Sequence, residues 1–233
     1  MVILKISERL KSIGNFVPKD WVTVDVGTDH GYLLKYLLDT GKIKKGYGFD
    51  LNKKPLTYAE RNLKEYLENN NAELRMGDGL NPLKDSDNAD CIVIAGMGGH
   101  LMTEILENGK EKLSNIKRII LAPNVSWEKL RRYLTTNGWK IIDEELVLED
   151  NKFYPIIVFE KGESDELSSG ELFFGPCLIK KNHTLLKKFA EHEKNKFLKN
   201  ISRMKESKKM ETRIEIEKLL NKWEEMSRCL NEY

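Results

Sequence analysis

From the N-terminus to about residue 160, short apolar runs alternate with amphipathic stretches whose apolar residues return every three to four positions. That alternation predicts strands and helices in turn, the mark of a mostly parallel α/β sheet. Ser7 is a candidate N-cap for a first helix carrying Leu10, Ile13 and Phe16 or Val17 on one side. Trp21 to Val26 reads as the first strand, and Leu33, Leu34, Leu37 and Leu38 form one face of the helix after it, which stops near Gly41. Gly46 to Asp50, Ala72 to Met76, Cys91 to Ala95 and Arg118 to Leu121 predict four further strands. The run Cys91-Ile92-Val93-Ile94-Ala95 is unbroken, as expected of a strand covered on both faces. Helices fall between them: one with Pro55 near its start and Leu56, Ala59, Leu63 and Leu67 on one side, one with Leu101, Ile105 and Leu106, and one after Ser126 that ends at Asn137-Gly138.

The rhythm then changes. Ile141 to Leu148 and Phe153 to Phe159 predict two strands joined only by residues 149–152. So short a link joins antiparallel neighbours and cannot make a parallel crossover. Pro155 removes a ladder donor and belongs at a strand start or bulge. The expectation is five parallel βα units followed by an antiparallel strand hairpin, over residues 1–162. Residues 163–177 read as a linker, Ser-rich at first and then Phe173-Phe174-Gly175-Pro176. From Leu178 to residue 233 there is no strand signal, Gly or Pro. Leu186, Ala190, Phe197, Ile201 and Met204 fit one helical stripe, and Ile216, Leu219 or Leu220, Trp223, Met226 and Leu230 fit another. A break near Ser207 to Met210 lets the two pack as a coiled-coil-like helical hairpin.

Composition narrows the class. No apolar run approaches the ~18 residues a membrane span needs, and residues 1–11 lack a signal-peptide core. Three widely spaced cysteines (Cys91, Cys177, Cys229) form neither a disulfide framework nor a zinc pattern, so no metal is expected and a cytoplasmic location is. The whole chain carries a net charge of only +2, but residues 180–209 hold 11 Lys and Arg against 3 Asp and Glu, a local +8. Such a stretch is either a solvated helix face or a phosphate-binding surface.

Candidate chemistry gathers at the predicted strand ends, where open parallel sheets bind ligands. Asp25-Val26-Gly27-Thr28-Asp29-His30-Gly31 closes the first strand and opens a helix. Asp29 stands where a dinucleotide fingerprint needs its second glycine, and a carboxylate there repels a pyrophosphate but suits an ammonium or sulfonium. Asp50, closing the second strand, can accept hydrogen bonds from ribose hydroxyls. Gly77-Asp78-Gly79 offers a carboxylate for an exocyclic amino group. Ala95-Gly96-Met97-Gly98-Gly99-His100 clears space and exposes backbone groups. Singly, each is as readily a helix cap or turn. Four successive strands ending this way on one sheet edge favour a nucleoside site, and the cation preference points to S-adenosyl-L-methionine. His30 and His100 are each, alone, as readily structural as functional.

With those motifs in place the chain resembles the class I S-adenosylmethionine-dependent methyltransferases, and more narrowly the bacterial tRNA (adenine-22-N1)-methyltransferase family, TrmK. The resemblance runs end to end, through Asp25 to His30, Gly77-Asp78-Gly79-Leu80, Ala95 to Gly99, Ile119-Ile120-Leu121-Ala122-Pro123-Asn124 and Phe174-Gly175-Pro176. It implies a Rossmann-like seven-stranded sheet ending in an antiparallel hairpin. It also implies methyl transfer from S-adenosyl-L-methionine to N1 of an adenine in tRNA, with the +8 stretch meeting phosphates. Thr28, Gly31, Leu34 and Asp50 stand where the family pattern has serine, alanine, proline and glutamate. Pro155 stands where an acidic residue follows the tyrosine, so the Tyr154-Pro155 corner receives no role. The motif Asn/Asp-Pro-Pro-Tyr is missing, so N6-amino chemistry is not expected.

On this reading Asp25, Gly27, Asp50, Asp78, Gly79, Ala95, Gly96 and Met97 hold the cofactor. Asp29 favours the product and accepts a proton from it, His30 holds the base or that carboxylate, and Asn124 reads the base edge. Two alternatives stay open from the residues themselves: a methyltransferase of another substrate class, and a noncatalytic nucleotide-binding regulator with a dimerising tail.

Overall fold

The protein is described by a computed structural model covering residues 6–205 and 210–230. Two compact units divide it, Met1–Ser164 and Asp165–Tyr233. In the first, a seven-stranded sheet has the order β3-β2-β1-β4-β5-β7-β6. Its strands are β1 (Thr23–Val26), β2 (Gly46–Asp50), β3 (Ala72–Met76), β4 (Cys91–Ala95), β5 (Arg118–Ala122), β6 (Trp139–Glu149) and β7 (Lys152–Lys161). β1 to β5 run parallel, and β7 pairs antiparallel with both β5 and β6. The five parallel units and the terminal hairpin are those the hydrophobic rhythm predicted.

Helices fill the crossovers. α1 (Glu8–Phe16) is capped by Ser7, whose Oγ accepts from the Leu10 amide at 3.3 Å. Ile13 and Val17 join Leu33, Leu34, Leu37 and Leu38 of α2 (Tyr32–Asp39) in a core over Cys91, Val93 and Ile120. The single helix expected around Leu63 is instead two, α3 (Lys53–Asn62) and α4 (Lys64–Glu68), interrupted at Leu63 itself. Leu63 stays fully buried. α5 (Gly99–Asn108) and α6 (Trp127–Thr135) follow β4 and β5.

The β6–β7 hairpin turns on Asp150 and Asn151, both at positive φ (47° and 58°). Two left-handed residues make the turn whose twist matches the strands, and Asp and Asn tolerate it best after glycine. Pro155 pairs opposite Leu146 of β6. It lies beyond Leu121↔Ile157, where pairing with β5 has ended, so β7 has a partner on one side only. That is how a proline sits inside a ten-residue strand. α6 is tied to β6 by a buried ion pair, Arg131 Nε to Glu144 Oε1 at 2.7 Å.

The second unit holds α7 (Ser169–Phe174), α8 (Pro176–Lys180), α9 (Leu186–Lys205) and α10 (Met210–Arg228). Residues 163–177, read from sequence as a linker, therefore contain one helix and the start of another. A Ser168/Glu171 capping box starts α7. Phe173, Phe174 and Phe197 surround Trp223, with ring centroids 6.0, 6.2 and 5.2 Å away. A Cβ on Gly170 would collide with Cys229 Sγ, so α7 and α10 approach closely. The Ser-rich composition hid this because the aromatic partners lie some fifty residues downstream. The break expected near Ser207 to Met210 lies outside the described residues except for Met210, which begins α10. Among the described residues no helix is long and apolar enough to cross a membrane.

Candidate active site

The carboxyl ends of β3, β2, β1 and β4, adjacent in the sheet, open onto one cleft of about 720 Å³. That volume falls within the range of small-molecule sites. All eight residues expected to hold a cofactor line it: Asp78 and Gly79 after β3, Asp50 at the end of β2, Asp25 and Gly27 at β1, and Ala95, Gly96 and Met97 at β4. Asp29 and His30 line it too, whereas Asn124 does not.

The turn after β1 is built from alternating backbone hands. Gly27 and Gly31 each have φ 72°, and Asp29 between them has φ 49°. Gly27 is required by its left-handed φ; a Cβ there would also meet Met97 Cε, the movable end of a flexible side chain. Four amides of this turn are already used. Gly27 N and Thr28 N donate to the Phe49 carbonyl at 2.8 and 2.9 Å, and Gly31 N donates to Thr28 O at 2.8 Å. Asp29 N donates to Asp50 Oδ2 at 3.2 Å. A phosphate site at a helix start depends on free amides, and this turn has committed four of them to the carbonyls of Phe49 and Thr28 and to the Asp50 carboxylate.

The charges act in the same direction. Asp25, Asp29, Asp50 and Asp78 all face the cleft. Asp25 is buried and accepts Thr28 Oγ1–H at 2.8 Å. Desolvation, opposed by that hydrogen bond and aided by the charges of Asp50 and Asp29, pushes its pKa up to about 7. The site thus holds a carboxyl poised to ionise when a cation arrives. Asp50 is oriented from both oxygens, Oδ2 by Asp29 N and Oδ1 by Asn52 N at 2.9 Å.

His30 lies at the mouth, its Nε2 3.5 Å from Asp29 Oδ1. Its ring stacks on Tyr58 (4.7 Å between centroids) and Tyr32 (5.5 Å). Both tyrosines remain partly exposed. Asn124, exposed after β5, donates from Nδ2 to Gly96 O at 2.6 Å, and its amide donates to Met97 O at 2.8 Å. It therefore pins the loop that lines the cleft. The glycines of that loop divide in role. Only Gly96 borders open space, while Gly99 packs where a Cβ would strike the Ser126 carbonyl. His100 is outside the lining, with Nδ1 3.4 Å from Lys129 Nζ.

Two charged lining residues escaped sequence reasoning: Arg9 of α1 and Glu149 at the end of β6. A basic residue in the first turn of a short amphipathic helix carries no signal of a site. Only the packing of α1 beside the β6–β7 hairpin brings it there.

Strand order, the antiparallel seventh strand and a cleft at the β1/β4 switch point together define the class I methyltransferase fold. The family model described as "TrmK: tRNA (adenine(22)-N(1))-methyltransferase" matches residues 23–225. A tRNA (adenine(22)-N(1))-methyltransferase of Bacillus subtilis is 37% identical over 195 residues, covering 81% of each chain. Streptococcus pneumoniae Sp1610 in complex with S-adenosyl-L-methionine superposes with a TM-score of 0.86 at 32% identity, over 97% of this chain and 99% of that one. M. capricolum TrmK in complex with S-adenosyl-homocysteine gives a TM-score of 0.84 at 26% identity, over 98% of this chain and 99% of that one. The chain belongs to the TrmK family.

Proposed function

We infer that the protein transfers the methyl group of S-adenosyl-L-methionine to N1 of adenine 22 in tRNA. The observation that carries this is the cleft itself: five carboxyl groups, a turn with four of its amides already engaged, and room for a nucleoside at the switch point. The bound cofactor and cofactor product named for the S. pneumoniae and M. capricolum relatives support the donor. The family membership supports the substrate.

The cofactor supplies a methyl group already activated by the sulfonium charge. Adenine N1 brings an in-plane lone pair that is free at neutral pH, so the protein's work is positioning and electrostatics. Asp50 accepts the ribose hydroxyls, and Asp78 accepts the exocyclic amine of the cofactor's adenine. Gly27 and Ala95 to Met97 let the donor's reacting end approach the backbone. Asp29, exposed at the mouth, offsets the positive charge that forms on the methylated base and accepts the N6 proton when it leaves. His30, braced by Tyr32 and Tyr58, holds the Asp29 carboxylate beside the incoming base. Asn124 commits Nδ2 to Gly96 and presents Oδ1 to the N6 amine, leaving N1 free to react.

N1 lies on the pairing edge, so the adenine must leave its partner before transfer. Exposed Lys187, Lys188, Lys194, Lys196, Lys199 and Arg203 on α9 supply counter-charge for the tRNA backbone. A cytoplasmic location, where tRNA meets a protein whose three cysteines form no disulfide, completes the reading. Incubating the protein with labelled cofactor and bulk unmodified tRNA, then digesting to nucleosides, tests it. Label in 1-methyladenosine is expected. Label in any other nucleoside, or none in RNA, overturns the assignment.

A further inference from the structure

Helix α3 carries a row of side chains that neither the core nor the cleft uses. Lys54, Tyr58 and Arg61 are spaced by four and three residues, so they share one helix face, and all three are exposed. The other side of α3 is buried through Leu56 and Ala59. Glu60, the one acid of α3, lies about 100° or more around the helix from every member of the row. Among the described residues Lys54 and Arg61 have no ion pair. The Arg61 guanidinium carbon is 5.9 Å from the centroid of the Tyr58 ring. The row is fixed beside the mouth of the cleft. A Cβ on Gly31 would meet Leu63 Cδ1 at 2.9 Å and Ala59 Cβ at 3.2 Å, so α3 packs tightly on the turn after β1. Asn62 Nδ2 donates to His30 O at 2.8 Å, and Tyr58 stacks on the His30 ring that lies against Asp29.

We propose that this face of α3 is a docking surface for single-stranded RNA, on which Tyr58 stacks an unpaired base next to the target adenine while Lys54 and Arg61 hold the flanking phosphates. This rests on the methyltransferase reading above and deepens it. Charge complementarity selects the occupant. Asp29, Asp50 and Asp78 face the cleft and repel phosphates from its mouth, so the strand that delivers the adenine must turn its backbone away. The α3 row meets that backbone beside the mouth with two cations and no acid among them. An aromatic ring between two unpaired cations matches a base between two phosphates. A paired strand keeps its bases stacked on one another and offers Tyr58 nothing. The face therefore favours an opened strand, which is the state in which N1 can be reached.

Binding of unmodified tRNA to the full chain, measured across a range of salt, tests the surface. Tyr58→Ala should weaken tRNA about tenfold, the scale of one lost base–aromatic stack, with the salt slope unchanged. Tyr58→Phe keeps the ring and should bind as wild type does. Lys54→Gln combined with Arg61→Gln should instead flatten the slope by about 1.4, two single-strand phosphates at about 0.7 each. A tRNA with an abasic site at one of the two neighbours of the target should bind wild type about tenfold more weakly, and Tyr58→Ala should lose nothing further with it. S-adenosyl-homocysteine affinity should be unchanged in every variant, because none of the three residues lines the cleft. Weaker S-adenosyl-homocysteine binding by Tyr58→Ala would assign the ring to the cofactor site and overturn the proposal. So would losses from Tyr58→Ala and from the abasic site that simply multiply at both neighbours. If wild type methylates tRNA and every variant matches its tRNA affinity and salt slope, the surface falls, α3 is left to solvent or a protein partner, and the methyltransferase reading stands. If wild type neither binds nor methylates tRNA, both fall.

Discussion

Replacing Asp25 with asparagine removes a titration without removing a shape, because the amide oxygen can still accept from Thr28 Oγ1. In the ligand-free protein burial holds the Asp25 pKa at about 7, against 3.8 for the free side chain. The folded state therefore binds this proton more tightly than the unfolded chain does. The associated stability is present in full below pH ~4 and is lost as pH rises to ~7, amounting to about 4 kcal/mol on an order-of-magnitude scale. Other carboxyls titrate oppositely: Arg75, donating to both Asp87 and Glu73, holds their pKa values down. The quantity to measure is thus the difference between wild type and Asp25→Asn in urea unfolding from pH 4 to 8, and the wild type should fall behind progressively. Cofactor binding carries the same linkage. A cation arriving at the cleft favours the ionised carboxyl, so wild-type affinity should be about tenfold weaker at pH 6 than at pH 8. Calorimetry in buffers of different ionisation enthalpy should register about 0.9 proton released at pH 6. The ligand's own α-amino group titrates near ~7.7–8.0, and Asp25→Asn supplies the baseline that subtracts it. Wild-type and variant affinities running parallel across this range would refute the reasoning, because Asp25 would then be ionised throughout or untouched by the ligand.

Asp29→Ala should lower turnover by about 100-fold or more, the scale of a lost acid–base or electrostatic group, with cofactor affinity changed far less; intact single-turnover rates would remove Asp29 from catalysis. Glu144→Ala removes the Oε1 acceptor of the buried Arg131 Nε and should cost about 3–5 kcal/mol in urea unfolding, while replacing both with apolar residues should restore most of it. Gly99→Ala should displace the loop at Val125 and Ser126, reducing turnover and melting temperature together, whereas Gly98→Ala, which meets Val125 Cγ2 only at 3.5 Å, should be mild. Changing Lys187, Lys188, Lys194 and Lys199 to glutamine should weaken tRNA binding and flatten its salt dependence by up to about four ion-release steps, with S-adenosyl-homocysteine affinity unmoved; an unaltered salt slope would assign the α9 charges to solvation.

Much of this protein is written in local pattern. Alternating strand and helix periods fix five βα units, and a four-residue link can only make an antiparallel hairpin, so the topology follows from steric rules acting over short spans. Strands in such a sheet deliver their carboxyl ends to one edge, which is why Asp25, Asp50, Asp78 and the glycines after β4 converge although about 70 residues of chain separate the first from the last. What the pattern could not contain are contacts whose partners share no window. Arg9 meets Glu149 across 140 residues of chain, Phe174 finds Trp223 from a stretch composed like a linker, and Asn124 ties its Nδ2 to the Gly96 carbonyl. Each depends on which surfaces meet when α1, the β6–β7 hairpin, α7 and α10 pack. Side-chain periodicity reports only that a face is apolar and says nothing of the neighbour that will cover it.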